Sequence, residues 1–264
     1  MASVCRHEFK SRDDLVAYVK ELSPQATNQT ISQLQPSMHL IEGLLQQVSP
    51  SEYARSRNFL GGAVTHLSPF ITHGLVTIQQ VRDAVLAHSD ASTGEKLIQQ
   101  LAWRDFWQRL ARQHPDWLWH NIESHKTGWK PDDYADAMPD DVVDARTPVA
   151  CLNQLIQQLR ETGWIHNHAR LYLAAYVVHW RRVKWQVGAQ WFMDLLLDGD
   201  LPSNNFSWQW VASTFSQKPY IFNLENVHKY ANGVLDTATE RNREIDASYE
   251  ELQQRLFPHM VEGQ

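Results

Sequence analysis

The sequence predicts an all-α fold, and three observations carry that expectation. Apolar residues recur every three to four positions along most of the chain. The alternating runs and turn dipeptides of β-hairpins are missing, and so is the strand–helix–strand rhythm of a parallel sheet. With 264 residues, 43% of them hydrophobic and 20% charged, the chain has the apolar material for a packed core and is not an intrinsically disordered sequence.

The elements follow in order. Over 38–59, Leu40, Ile41, Leu44, Leu45 and Val48 keep helical spacing until Gly61-Gly62 interrupts it. From Thr77 the pattern resumes with Ile78, Val81, Val85 and Leu86. Ser92 or Thr93 is expected to cap a long helix ending near Pro115, its apolar face being Leu97, Leu101, Trp103 or Phe106, and Leu110. Residues 116–146 read as irregular. Thr147-Pro148 then reads as a helix start, with Val149, Leu152, Ile156 and Leu159 facing inward and Gly163 closing the helix. Further helices are expected over 166–179, 189–197 and 202–213. The domain reading is a peripheral segment over 1–35, a helical domain over 36–230 and a second peripheral segment over 231–264, resting on charge and polar content.

Composition excludes several classes. The formal charge of −6 argues against a purely electrostatic nucleic-acid coat while allowing a local basic groove. Two cysteines, Cys5 and Cys151, cannot form a disulfide scaffold or furnish four thiolates to an iron–sulfur cluster. No apolar signal core opens the chain, and no run approaches the roughly 20 apolar residues that span a bilayer. A protein of the cytoplasm, with no membrane contact, is the resulting expectation.

Common catalytic motifs are missing: no Gly-rich phosphate loop, no GxSxG turn and no HExxH. His166-x-His168 is poorly spaced for converging two imidazoles on a metal, and no metal site is expected. Cys151 reads as a small core residue. Asp198-x-Asp200 with Asp194 reads as solvated helix-end carboxylates, as a carboxylate metal site or as a general acid–base pair. All 11 tryptophans fall between Trp103 and Trp210. Either they build an aromatic core, or they stack flat rings and pass electrons between indoles.

The combination of motifs narrows the choice. THLSP (65–69), LAWRDF (101–106), TGWIHNHAR (162–170) and DGDLPSNNFSWQWVAST (198–214) occur in this order. Together they resemble the helical FAD-binding domain of the photolyase/cryptochrome flavoproteins, from about Tyr53 to Asn223. The resemblance implies non-covalent FAD. Tyr53, Thr65, His66, Leu67 and Ser68 would hold its phosphates and ribose, with His66 in place of the usual basic residue. Arg104 would lie near the flavin, Arg170 and Asp198 would form an ion pair beside the N5 edge, Asp200 would meet the ring's polar edge, and Asn204 would face N5. Trp208, then Trp185, then Trp129 (or Trp119 in its place) would form an electron relay.

On the substrate side, the resemblance implies DNA carrying pyrimidine dimers. Trp103, Asn167 and Trp210 match residues that receive an extruded dimer, Arg57 matches a phosphate contact, and His168 would join a basic groove with Arg181, Arg182 and Lys184. Single-stranded DNA is expected to be preferred, since unpaired bases cost least to extrude. Gln100 stands where the family carries an active-site glutamate. About 50 residues precede Tyr53, too few for the family's N-terminal α/β antenna domain, so an antenna-less domain is expected. The implied activity is that of a short photolyase-like enzyme, splitting cyclobutane pyrimidine dimers with an electron from light-excited FADH⁻. The alternatives are a cryptochrome-like light or redox sensor that repairs nothing, and a flavoprotein with a dark redox role.

Overall fold

A computed structural model of the protein describes residues 6–23 and 32–260; Cys5 lies outside them. The chain divides into two compact units, Met1–Ile31 and Ser32–Gln264. In the first, α1 (Arg12–Leu22) begins at Ser11, whose hydroxyl accepts the Asp14 amide hydrogen, and it buries no residue. Arg6 pairs with Asp14.

The second unit is helical, as expected, and holds no strand among the described residues; a single bridge pairs Ala135 with Val183. The stretch over 38–59 is two helices, α2 (Met38–Gln46) and α3 (Pro50–Ser56). Ser37 caps the first, and Pro50 at the first position of the second requires the break. Next come α4 (Ser68–Thr72) and α5 (Ile78–Ala87), where Thr77 and Gln80 form a reciprocal cap. Helix α6 (Ala91–Gln113) is capped by Asp90, whose carboxylate accepts from the Thr93 amide, rather than by Ser92 or Thr93. The inward side of α6 also differs from the expected one. Trp103 and Phe106 are 52% and 45% exposed, and Trp107 turns toward Phe206 instead.

Residues 116–146 are irregular apart from two short 3₁₀ turns and α7 (Asp140–Val143). Helix α8 (Ala150–Thr162) starts two residues later than Thr147-Pro148 suggested, because Thr147 and Asn153 bond each other around the turn. It buries Cys151, Leu152, Leu155, Ile156 and Leu159, the four large aliphatic side chains contributing about 1.5–3 kcal/mol each. Gly163 ends it in a left-handed conformation (φ 68°).

Helix α9 (Asn167–Ala175) continues into a wider π turn over Tyr176–Trp180. Tyr176, Val177, Val178 and His179 are all buried there, continuing the buried run Tyr172–Ala175 at the end of α9. Helices α10 (Trp185–Leu195) and α11 (Leu201–Ala212) complete the main core, the latter capped by Asp200. They start four and one residues earlier than the pattern suggested.

The C-terminal segment corrects an expectation. Beyond α12 (Leu224–Ala231), α13 (Tyr249–Leu256) buries Leu252 and Leu256, and Ile245 and Phe257 are buried as well. The amide oxygen of Asn242 accepts from the Cys151 backbone at 3.0 Å. Residues 231–257 therefore contribute to the core and are not merely peripheral. Their polar content hid four well-spaced apolar anchors.

Candidate functional site

A cleft opens where α4, α6, α9, α10 and α11 converge. Its apolar wall is Leu171, Ala174, Phe192, Leu196, Trp208 and Val211, and its polar rim carries Ser68, Arg104, Arg170, Asp198, Asp200 and Asn204. An apolar slot with a charged edge suits a flat heteroaromatic ring that is oily on its faces and polar along one side.

The rim is two hydrogen-bonded networks. In the first, one terminal nitrogen of Arg170 donates to both Asp198 oxygens at 2.9 and 2.8 Å, and the Ser68 hydroxyl donates to Asp198 at 2.6 Å. Asp198 is 5% exposed, so its charge is tolerable only because it is so partnered. The Thr72 hydroxyl donates to the Asp198 backbone carbonyl at 3.2 Å. In the second network Asp200 accepts from the Ser203 amide, the Ser203 hydroxyl and the Gln108 amide, with Arg104 3.2 Å away. Thr72 links the two, because its hydroxyl also accepts from Arg104 at 3.1 Å.

Asn204 is oriented by its own bonds. Its Nδ2 donates to the Ala189 carbonyl at 3.0 Å and to Asn205 Oδ1 at 2.9 Å. A carbonyl can only accept, so the amide is fixed with Oδ1 as the group left to the cleft. One turn further along α11, Trp208 is 2% exposed and meets Phe192 edge-on at 4.9 Å. Gly188 on α10 makes this packing possible: a Cβ there would stand 2.4 Å from the Trp208 ring. Trp185 lies one turn before Gly188, fully buried, its indole N–H donating to Asn121 at 2.6 Å.

Other residues singled out in the sequence lie elsewhere. Tyr53, Thr65 and His66 line a separate small hollow with Val48 and Ser49. Leu67 is fully buried in the cluster of α2, α4 and α5, so its side chain reaches no ligand. Trp129 is half-buried against the C-terminal cluster; its indole N–H donates to the Leu256 carbonyl at 2.7 Å, and the Arg182 guanidinium lies 4.5 Å from its ring centre. No contact joins Trp129 to Trp185 among the described residues, whereas Gln186, next to Trp185, donates to the Trp119 carbonyl at 3.2 Å.

Near the cleft, Arg57 donates to the Gln100 amide oxygen at 3.1 Å. Asn167 lines the cleft and is exposed. Trp103 stacks on Trp107 at 5.3 Å, and Trp210, 43% exposed, packs on Tyr220 at 5.5 Å. His168 is half-buried and lies near Arg57. Its Nδ1 bonds the Asn58 carbonyl at 2.8 Å, its ring sits between Tyr172 and Tyr230, and burial lowers its pKa, leaving it neutral near pH 7. Arg181 and Lys184 are likewise engaged, with Asp141 and Asp136. Burial pushes the Cys151 thiol up to about 12, as a core residue requires. His166 caps α9, accepting from the His168 amide at 3.1 Å, and burial lowers its pKa to about 4.

Among the described residues, no three His, Cys, Asp or Glu side chains converge as metal ligands, and no helix is long and apolar enough to cross a membrane. Sequence reasoning missed Thr72, Gln108 and Gly188. The signal for the first two was helical spacing: Thr72 lies four residues after Ser68, and Gln108 four after Arg104.

Comparison with known proteins adds the family context. Residues 97–240 match the family model described as the FAD binding domain of DNA photolyase. The deoxyribodipyrimidine photo-lyase of Streptomyces griseus is 34% identical over 154 residues, covering 58% of this chain and 33% of that protein. Its counterpart in Synechococcus is 33% identical over 195 residues, covering 66% and 38%. The chain thus spans between a third and two fifths of the length of these relatives. Among solved structures, a bacterial class III photolyase from Agrobacterium tumefaciens superposes with a TM-score of 0.61 at 22% identity, covering 90% of this chain and 48% of that one. A Synechocystis cryptochrome gives 0.64 at 20% identity, covering 89% and 51%. At such identities the likeness concerns the fold.

Proposed function

This chain belongs to the family defined by the FAD binding domain of DNA photolyase, and from that premise we propose that it holds FAD non-covalently in the cleft and acts as a light-driven, photolyase-like repair enzyme. The observation that carries the reading is the cleft itself, where Asn204 and Trp208 stand one turn apart on α11 beside the Arg170–Asp198–Ser68 network. When bound, FAD supplies light-driven donation of one electron to a cyclobutane pyrimidine dimer, the electron returning after both carbon–carbon bonds open, so that none is consumed.

The chain's own residues give that chemistry its setting. Asn204 Oδ1 would offer the N5 edge of bound FAD an acceptor that cannot release a proton. Arg170, anchored by Asp198, keeps a fixed cation at the same edge, which favours negative charge on a bound ring in a water-poor slot. Asp200, braced by Arg104 and Gln108, serves the ring's N–H groups as an acceptor. Phe192, Leu171 and Val211 exclude water from its faces. Trp208 and Trp185 would supply oxidisable indoles next to the cleft from which bound FAD could be reduced. At the mouth, Trp103 and Trp210 offer stacking surfaces for extruded bases, Asn167 offers an amide to a base edge, and Arg57 offers a phosphate contact.

Illumination of the FAD-loaded protein with oligonucleotides bearing a single thymine dimer tests this reading. Dimers should disappear only in the light, and faster from single strands than from duplexes. A second reading has a specific observation behind it: position 100 is an amide that holds Arg57 rather than a carboxylate. If FAD binds and is photoreduced while dimers persist on both kinds of DNA, the protein is a light or redox sensor of cryptochrome type.

A further inference from the structure

A second hollow, of about 640 Å³, shares no lining residue with the cofactor cleft. Trp129, Trp180, Arg181, Arg182 and Arg255 line it, brought together from the irregular stretch, the π turn and α13. Both indoles are pinned at their nitrogen ends, Trp129 on the Leu256 carbonyl at 2.7 Å and Trp180 on the Glu244 carbonyl at 3.3 Å. Three arginines here meet two carboxylates, and both carboxylates are engaged. Asp141 takes Arg181 in two bonds of 2.7 and 2.9 Å, and Glu244 takes the Tyr176 hydroxyl at 3.0 Å. Arg255 donates to the Glu244 backbone carbonyl, which satisfies a donor without neutralising its charge. Arg182 has no carboxylate within ion-pair distance among the described residues and lies over the Trp129 ring.

Arg182 also stands in the left-handed region, at φ 47°. The turn is needed, because the Arg182 carbonyl accepts from the Ala135 amide at 2.7 Å as the chain enters its bridge. A glycine would make that turn without steric penalty. The side chain is therefore what requires explanation, in a protein whose net charge is −6. His179 adds an independent observation. It lines the same hollow, is 3% exposed, and uses Nε2 on the Val211 carbonyl at 2.9 Å, leaving Nδ1 as an acceptor with no donor beside it.

We propose that this hollow is a second binding site, for a nucleoside phosphate, with the phosphate on Arg182 and Arg255 and the base against Trp180. A guanidinium lying over an indole keeps its in-plane N–H groups free, and those suit the paired oxygens of a phosphate. An inorganic anion would satisfy the arginines and leave the indoles wet. A neutral aromatic would do the reverse. A nucleotide serves both, and its base or sugar brings the donors that a bare phosphate lacks.

The site is tested on the FAD-loaded protein by calorimetric titration with AMP, adenosine, inorganic phosphate and a short adenine oligonucleotide. AMP should bind at least about tenfold more tightly than adenosine or phosphate. Arg255→Ala and Arg182→Gly should each weaken AMP about tenfold or more without loss of FAD absorbance. Arg182→Gly should also raise the melting temperature, since glycine accepts the turn, so lost binding there cannot be ascribed to misfolding. Absent AMP binding, equal binding of adenosine, binding indifferent to both substitutions, or binding of the oligonucleotide alone would each overturn the proposal.

Discussion

The two ends of the tryptophan series sit in opposite surroundings. Trp208 and Trp185 are 2% and 0% exposed, packed among Phe192, Gly188 and the core of α10 and α11, with no cation over either ring among the described residues. Trp129 is half-buried beneath the Arg182 guanidinium. Oxidising an indole creates positive charge, which a fixed guanidinium opposes. In the proposed relay the inner pair would therefore lose electrons more readily than Trp129. Trp119, whose carbonyl accepts from Gln186 beside Trp185, is the outer member we propose in its place.

Breaking the cleft end should have the largest effect. Asp198→Asn removes the buried counter-charge of the half-buried Arg170 and weakens the Ser68 contact. Chemical denaturation should reveal a loss of about 3 kcal/mol, and the purified variant should retain little FAD. Gly188→Ala comes next. The added Cβ would stand 2.4 Å from the Trp208 ring, so the ring must shift, at about 1–3 kcal/mol, and blue-light reduction should slow while FAD remains bound. An unchanged rate would mean that the placement of Trp208 against α10 does not matter to electron flow.

The outer end sharpens the comparison. Trp185→Phe should slow photoreduction at least about tenfold, equivalent to about 1.4 kcal/mol in barrier. Trp119→Phe should slow it less, and Trp129→Phe least. If Trp129→Phe proves as damaging as Trp185→Phe, the argument from the Arg182 cation fails.

The smallest effect concerns pH. Burial, with His168, Arg170 and Arg57 nearby, depresses the folded-state pKa of His166 to about 4 from its ordinary value of about 6.5. The unfolded chain thus binds a proton that the folded protein refuses, and stability should fall as pH drops from about 6.5 to about 4. His179, also at about 4, acts in the same sense. His166→Asn keeps an acceptor for the His168 amide and removes one titration. It should flatten the fall in unfolding free energy, measured by urea denaturation, between about pH 6.5 and pH 4; an unchanged pH profile would place the sensitivity elsewhere.

Legibility in the sequence tracked locality. The helices of the main core were readable because Leu152, Ile156 and Leu159 keep their spacing wherever α8 packs. Helix starts were less so: Asp90 outcompeted Ser92 and Thr93, and the Thr147–Asn153 pair delayed α8, choices made by backbone geometry rather than residue type. Asp198, Asp200, Asn204 and Trp208 were visible as a group because one loop and one helix carry them all. Thr72, Gln108 and Gly188 belong to three other elements and acquire meaning only when those elements meet. The basic run at Arg181, Arg182 and Lys184 could not be resolved from sequence, since two of its side chains pair with Asp141 and Asp136 while Arg182 lies over the Trp129 ring.

Blue-light reduction of the FAD-loaded protein, compared with that of Trp208→Phe, tests the central claim most directly. The account predicts rapid bleaching of the oxidised flavin band in the natural protein with an external reductant. In the variant, FAD should stay bound at full occupancy and bleach at least about tenfold more slowly. Equal bleaching rates in the two proteins would contradict the account, because electrons would then reach the flavin without the indole that lines its cleft.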